Sequence, residues 1–152
     1  HVQQLTAENY LRGDSLGEFL ALAESFRPEA TGGNARAGVL GECLDRATER
    51  LLNENKSPAR RVGQIDNRGS HFWLARYWAQ ELAEQTQDAE LAARFADVSA
   101  QLIANADAID AELIAVQGSP ADIGGYYRPD ADKASAVMRP SATFNGILAS
   151  LA

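Results

Sequence analysis

DNRGSHFWLARYWAQELAEQ, residues 66–85, is the stretch of this chain that decides its fold. Its apolar side chains recur at helical spacing, on two stripes that together cover most of a helix circumference. Asp66, Asn67 or Ser70 can cap the start, because each side chain can accept a hydrogen bond from the first free backbone N–H groups. A helix with so wide an apolar surface is buried on several sides, so the stretch predicts a central helix with other helices packed around it. The stripes comprise Phe72, Ala75, Ala79 and Leu82 on one side, and Leu74, Trp78, Trp73 and Tyr77 on the other.

Further helical patterns lie on both sides of this stretch, and period-two alternation over the length of a strand is almost absent. We therefore predict a mainly α fold, a single multi-helix domain formed by residues 1–152. The long pattern that starts at Asp88 predicts two helices that meet near Asn105, because one helix of that length is uncommon in a globular domain. Residues 1–5 predict a short strand end or loop, residues 6–12 a helical turn or loop, and residues 53–65 a polar connection with a brief extended piece at Val62 and Ile65. The predicted helices span residues 14 or 15 to 26, 34–53, 66–85, 88–116 with the break near 105, 130–138 and 141–151.

The composition is that of an acidic globular protein. The formal net charge is −7, which argues against general nucleic-acid binding, since that needs a basic surface to displace phosphate counterions. No apolar run approaches the length of a membrane span, and no signal-peptide pattern is present. The single cysteine, Cys43, excludes an internal disulfide and fits a cytoplasmic location, and its apolar surroundings predict a small buried residue. The chain opens with His1 in mid-pattern, so we expect a piece of a longer protein.

Several kinds of site can be excluded from the sequence. Neither the glycine-rich dinucleotide fingerprint nor the phosphate-binding P-loop is present, and the nucleophile elbow of serine hydrolases is missing too. One cysteine and two histidines cannot make a zinc site of the usual kind. Asp107 and Asp110 lie one helical turn apart and could share a metal ion, but the ordinary interpretation is a solvated, charged helix face.

The remaining candidates are cationic. Arginine presents a planar fork of donors that suits phosphate oxygens, and a histidine beside a phosphate is partly protonated near neutral pH. Several such residues lie close to the start of the central helix, where free N–H groups and the helix dipole favour an anion. On spacing alone two interpretations stay open, a phosphate clamp or surface salt bridges in an acidic protein. The candidates are His1, Arg12, Arg60, Arg61, Arg68 and His71.

Five runs of the chain resemble the C-terminal part of the monomeric, NADP-dependent isocitrate dehydrogenases. They are long, and unlike generic helix sequence. They cover both ends and the middle of the chain, and residues 27–56 are the least characteristic part. The runs are HVQQ at 1–4, LRGDSLGEFLALA at 11–23, DNRGSHFWLARYWAQELA at 66–83, AVQGSPADIGGYYRPD at 115–130 and MRPSATFNGILASL at 138–151.

The resemblance implies an enzyme that converts isocitrate to 2-oxoglutarate and carbon dioxide, a step of the tricarboxylic acid cycle at the branch to the glyoxylate bypass. NADP accepts the hydride, and Mg²⁺ or Mn²⁺ polarises the reacting oxygens. It also implies that this helical piece completes a larger α/β domain, with the rest of the enzyme chain as its partner. Catalytic residues and metal ligands belong to earlier parts of the family's chain, so the piece alone is expected to be inactive.

The resemblance assigns cofactor contacts to four positions. His1, Arg12 and Arg61 match family residues that hold the 2′-phosphate of NADP, and Asp14 matches one near the adenosine. Gly13 departs from the family pattern, where a bulky residue is frequent. Two alternatives stay open beside this assignment, a stand-alone helical module derived from the enzyme and without catalysis, and a helical interaction domain whose arginines only form salt bridges.

Overall fold

The computed structural model describes residues 2–12, 22, 34–125 and 127–151. Within these residues the fold consists of seven helices and no strand, so the prediction of a mainly α domain is confirmed. The predicted helix from 14 or 15 to 26 lies outside the described residues apart from Leu22. The helices are α1 (Val2–Glu8), α2 (Ala35–Asn53), α3 (Asn67–Glu84), α4 (Ala89–Ala104), α5 (Ala106–Ala115), α6 (Ala131–Met138) and α7 (Ala142–Ala149).

Helix α3 is the central element, as its apolar circumference predicts. It packs against α2, α4 and α5, and its aromatic side chains form the middle of the core. Phe72 is fully buried, and Trp73 and Tyr77 retain only 8% and 2% exposure. Each buried side chain of this size contributes about 1.5–3 kcal/mol to the free energy of folding. The ring of Phe72 also meets those of Trp73 and Phe144 edge-on, which ties α7 to α3.

Side-chain hydrogen bonds to the backbone mark where the helices begin and end. Asp66 begins α3 by accepting hydrogen bonds from the backbone N–H groups of Arg68 and Gly69, and Gln85 follows its last residue. The break near Asn105 is also confirmed. The Asn105 side chain donates to the carbonyl oxygen of Gln101 at 2.9 Å, a local bond that competes with continuation of the helix.

Two segments differ from prediction. Residues 2–8 form the regular helix α1, although the residues alone indicated only a short segment and a turn. Its last carbonyl groups accept hydrogen bonds from residues more than a hundred positions later, which a local pattern cannot reveal. The predicted extended piece at Val62 and Ile65 is absent from residues 53–65, which turn back on themselves where Ala59 N donates to Ile65 O at 2.8 Å.

Two smaller predictions concern side chains of the core. Cys43 is fully buried, as predicted, and burial raises the pKa of its thiol. Asp110 accepts a hydrogen bond from the indole N–H of Trp73 at 3.0 Å. The Asp107 and Asp110 pair is therefore part of a helix face and its packing, and no group of three or more potential metal ligands lies together in the described part of the chain.

Candidate functional site

The segment that carries Arg12 is fixed to the start of α3. Asn67 N donates to Leu11 O at 2.8 Å, and Leu11 N donates to a carboxylate oxygen of Asp66 at 3.1 Å. Both backbone groups of Leu11 are therefore satisfied by two consecutive residues of the helix start. The result is that the backbone immediately before Arg12 has a defined position relative to α3.

Tyr10 joins this segment to the loop that carries Arg61. The side chain is fully buried, and its hydroxyl group donates to the carbonyl oxygen of Ala59 and lies 3.2 Å from that of Ile65. Burial raises the pKa of this hydroxyl, the charge of Asp66 adds to the rise, and the charge of Arg12 opposes it. The phenol thus remains a neutral donor that holds both ends of residues 59–65.

The loop itself closes as a tight turn. Gln64 N donates to the carbonyl oxygen of Arg61 at 3.2 Å, so Arg61 is the first of four turn residues. Gly63 occupies the third position with φ of 89°, a left-handed conformation that other residues rarely adopt. The side chain of Arg61 therefore projects from a turn and not from a helix.

Arg12 and Arg61 present their guanidinium groups to solvent. Both residues are exposed, and neither guanidinium forms an ion pair or a hydrogen bond within the part of the chain that the structure describes. Arg60, the neighbour of Arg61, is exposed as well. The hydrogen bonds of Tyr10, Asp66 and Asn67 bring together the two segments that carry the predicted phosphate contacts. His1 and Asp14, the other two predicted contacts, lie outside the described residues.

Arg68 has a structural task and is not a phosphate ligand. It retains only 4% exposure, and its guanidinium lies 2.6 Å from the carboxylate of Asp66. It also donates to the side chain and the carbonyl oxygen of Asn9, at 2.8 and 2.7 Å, and to the carbonyl oxygen of Val137 at 2.8 Å. The expected anion at the start of the central helix is therefore the protein's own Asp66, which already occupies the N–H groups of Arg68 and Gly69.

His71 lies one turn further along α3, at the edge of a cleft. Its ring nitrogen Nδ1 lies 2.7 Å from the carbonyl oxygen of Asn67 and donates to it, and the residue as a whole is exposed. The cleft has a volume of about 450 Å³ and is also lined by Leu11 and the exposed Arg139. It opens directly beside the segment that leads to Arg12.

The sequence did not indicate Tyr10 or Gln117 as part of this region. The amide of Gln117, which follows α5, bonds with Gly63 N at 2.7 Å and with Gln64 O at 2.9 Å. Both residues act over 49 or more positions of sequence, so no local pattern predicts their partners. The one available signal was the family run that contains Gln117, at residues 115–130.

In the described residues no helix is long and apolar enough to cross a membrane.

Comparisons with known proteins agree on one family. The family model described as monomeric isocitrate dehydrogenase matches residues 1–149. The chain is 66% identical to the isocitrate dehydrogenase (NADP) of Corynebacterium efficiens and 62% identical to that of Corynebacterium glutamicum, each over 152 residues that cover 99% of this chain and 21% of the relative. It is 57% identical to isocitrate dehydrogenase (NADP) 2 of Mycobacterium tuberculosis, over 97% of this chain and 20% of the relative. The chain thus spans about a fifth of the length of the curated relatives that it matches.

Proposed function

The chain belongs to the monomeric isocitrate dehydrogenase family, and we propose that it is the part of such an enzyme that binds the 2′-phosphate of NADP. In this proposal the complete enzyme oxidises isocitrate to 2-oxoglutarate and carbon dioxide. The nicotinamide of NADP supplies the hydride acceptor. The residues of this chain bind and orient the opposite end of the cofactor, and the remaining part of the enzyme chain supplies the reacting centre.

The observation that carries the proposal is the joint between residues 10–12 and 59–65. The buried side chains of Tyr10 and Asp66 hold these segments side by side through hydrogen bonds, while Arg12 and Arg61 are exposed. Two guanidinium groups on fixed backbone can bind one phosphate group with little loss of conformational entropy. The relatives' names specify NADP, which differs from NAD only by this phosphate.

His1 and Asp14 complete the proposed contacts. A histidine next to a phosphate group has a raised pKa, so His1 would add a third positive charge. Asp14 would accept a hydrogen bond from the adenosine side. Both assignments rest on the family motifs at residues 1–4 and 11–23.

The divalent metal ion of the reaction is assigned to other parts of the enzyme. Mg²⁺ or Mn²⁺ binds preferentially to clusters of carboxylate oxygens and serves as a Lewis acid. In the described residues no three Asp, Glu, His or Cys side chains are arranged to hold such an ion. The resemblance places the family's metal ligands in earlier parts of the enzyme chain, and we propose the same arrangement here.

Alanine substitutions of the two arginines test the proposal. In the complete enzyme, Arg12→Ala or Arg61→Ala should weaken NADP binding by about 1.5–3 kcal/mol, the scale of a hydrogen bond to a charged group, and leave NAD binding almost unchanged. Titration calorimetry with each cofactor measures both affinities. Arg60→Ala is the matched control, since it removes the same charge from the adjacent exposed residue. Equal losses for NADP and NAD would contradict the 2′-phosphate assignment.

A further inference from the structure

The turn that carries Arg61 is held at its base and at its tip by residues from distant parts of the chain. Tyr10 holds the base through the carbonyl oxygens of Ala59 and Ile65. The side-chain amide of Gln117 holds the tip, where Gly63 N donates to its oxygen at 2.7 Å and its nitrogen donates to Gln64 O at 2.9 Å. One amide group thereby satisfies a donor and an acceptor on adjacent residues.

Apart from its own Gln64 N to Arg61 O hydrogen bond and the side chain of Val62, which lies beside Gly118, the tip of this turn is open to solvent. Residues 61–64 are all exposed, and an added β-carbon at Gly63 would meet no atom within 4 Å. A short exposed turn without packed side chains has several accessible orientations unless hydrogen bonds select one. Among the described residues, the side-chain hydrogen bonds to the backbone of Gly63 and Gln64 come from Gln117.

Gln117 is itself well anchored. Its own N–H donates to Ile114 O at 3.0 Å at the end of α5. The next residue, Gly118, donates to Glu8 O at 2.7 Å, and Ala121 donates to Thr6 O at 2.9 Å, so the segment is fastened to the last turn of α1. The hydrogen bonds of Gln117 therefore connect the Arg61 turn to two helices.

We propose that Gln117 is a positioning residue for cofactor choice. It touches neither cofactor, and it acts by holding the Arg61 turn so that the guanidinium group meets the 2′-phosphate of NADP. Loss of the two Gln117 hydrogen bonds releases the turn and lowers the affinity for NADP. NAD, which lacks that phosphate, is bound as before. This inference rests on the proposed function, because it requires Arg61 to contact the 2′-phosphate.

The variant Gln117→Met tests this positioning role, since methionine keeps the length of the side chain and removes both hydrogen bonds. In the complete enzyme we expect the dissociation constant for NADP to rise roughly three- to tenfold, and that for NAD to change less than about twofold. Gln85→Met is the matched control. The Gln85 amide also bonds to the backbone of a loop, at Gln87 N, Asp88 N and Asp88 O, but that loop is not part of the joint. The control variant Gln85→Met should leave the ratio of the NADP and NAD affinities unchanged.

A second measurement separates the possible failures. Hydrogen exchange at the Gly63 amide should accelerate in Gln117→Met, and Gln117→Met should have no further effect on NADP binding once Arg61 is already alanine. If Arg61→Ala lowers NADP affinity and Gln117→Met does not, the positioning role is wrong and the proposed function stands. If Arg61→Ala leaves the preference for NADP intact, both are wrong. Equal loss of NADP and NAD affinity in Gln117→Met would make the residue merely structural and would overturn the inference.

Discussion

Two arginines of α3 have opposite electrostatic surroundings. Arg68 is buried against the Asp66 carboxylate and has an acceptor for each side of its guanidinium group. Arg76 lies over the rings of Trp73 and Tyr77, at 5.7 and 5.2 Å from their centroids, and its buried Nε has no acceptor among the described residues. Burial lowers the pKa of Arg76, and the nearby positive charge of Arg50 lowers it further.

These surroundings predict different costs for the same substitution. Arg68→Met should lower the free energy of unfolding by about 3–5 kcal/mol, because it leaves the Asp66 carboxylate buried without its partner. Arg76→Met should change it by less than about 1 kcal/mol, since the loss of two cation–π contacts is offset by removal of a poorly solvated donor. Urea unfolding of both variants measures the difference, and equal losses would contradict this account.

Spacing in the sequence did not separate the exposed cationic residues from the buried ones. Arg61 and Arg68 lie only seven positions apart in sequence, and both are near the start of the central helix. What distinguishes them is tertiary structure, because the segment before Arg12 covers Arg68 and supplies the carbonyl oxygen of Asn9 as an acceptor. Burial of a polar side chain depends on such long-range contacts, and a single sequence does not reveal them.

At the scale of elements, α5 and α7 are joined by one carboxylate. Glu112 on α5 accepts hydrogen bonds from the hydroxyl groups of Ser141 and Thr143 at the start of α7, the second at 2.6 Å. The hydroxyl oxygen of Ser141 in turn accepts from Phe144 N at 3.1 Å and caps that helix. The bonds from Ser141, and then from Thr143, hold the pKa of Glu112 below its ordinary value of 4.5.

This lowered pKa fixes the sign of a pH effect. A carboxylate with a lower pKa in the folded state stabilises the fold fully above the unfolded value, and the contribution is lost as the pH falls through the folded value. Glu112→Gln should therefore reduce the free energy of unfolding by about 0.5–1 kcal/mol at pH 7, a range that allows for the partial exposure of the residue. The difference from the unaltered protein should shrink as the pH is lowered below 4.5. Unfolding curves at several pH values test this, with Asp107→Asn on the same helix as control, and a pH-independent difference would contradict it.

The elements themselves were largely predictable. Helices α2, α3, α4, α6 and α7 each begin one residue after the predicted first residue, whose side chain caps the helix, because a cap and an apolar stripe are both local properties of the chain. The break between α4 and α5 was predictable from length, because one helix over residues 88–116 would be uncommonly long for a globular domain. Helix α1 and the turn at residues 61–64 were not, since hydrogen bonds from Gly118, Ala121 and Gln117 fix them from afar. The positions of the candidate site residues depend on these long-range bonds.

At the scale of the whole molecule, the negative net charge opposes the proposed ligand. The chain has 21 acidic residues against 14 Lys and Arg, so its overall field repels an anionic dinucleotide. In the proposed function, attraction for the 2′-phosphate comes from local contacts with exposed guanidinium groups. Contacts of this kind are weakened by salt, whereas the pyrophosphate is common to NADP and NAD.

The ratio of the two affinities thus isolates the 2′-phosphate. When the ionic strength is raised from about 20 mM to about 200 mM, the affinity of the complete enzyme for NADP should fall more steeply than its affinity for NAD, because ions screen the additional phosphate–arginine pairs. In a variant that combines Arg12→Ala with Arg61→Ala, the two cofactors should show the same dependence on salt. Calorimetric titrations over a salt series measure both slopes. Identical slopes in the unaltered enzyme would mean that the 2′-phosphate meets no exposed cation, and the joint formed by Tyr10 and Asp66 would then serve the fold and not the cofactor.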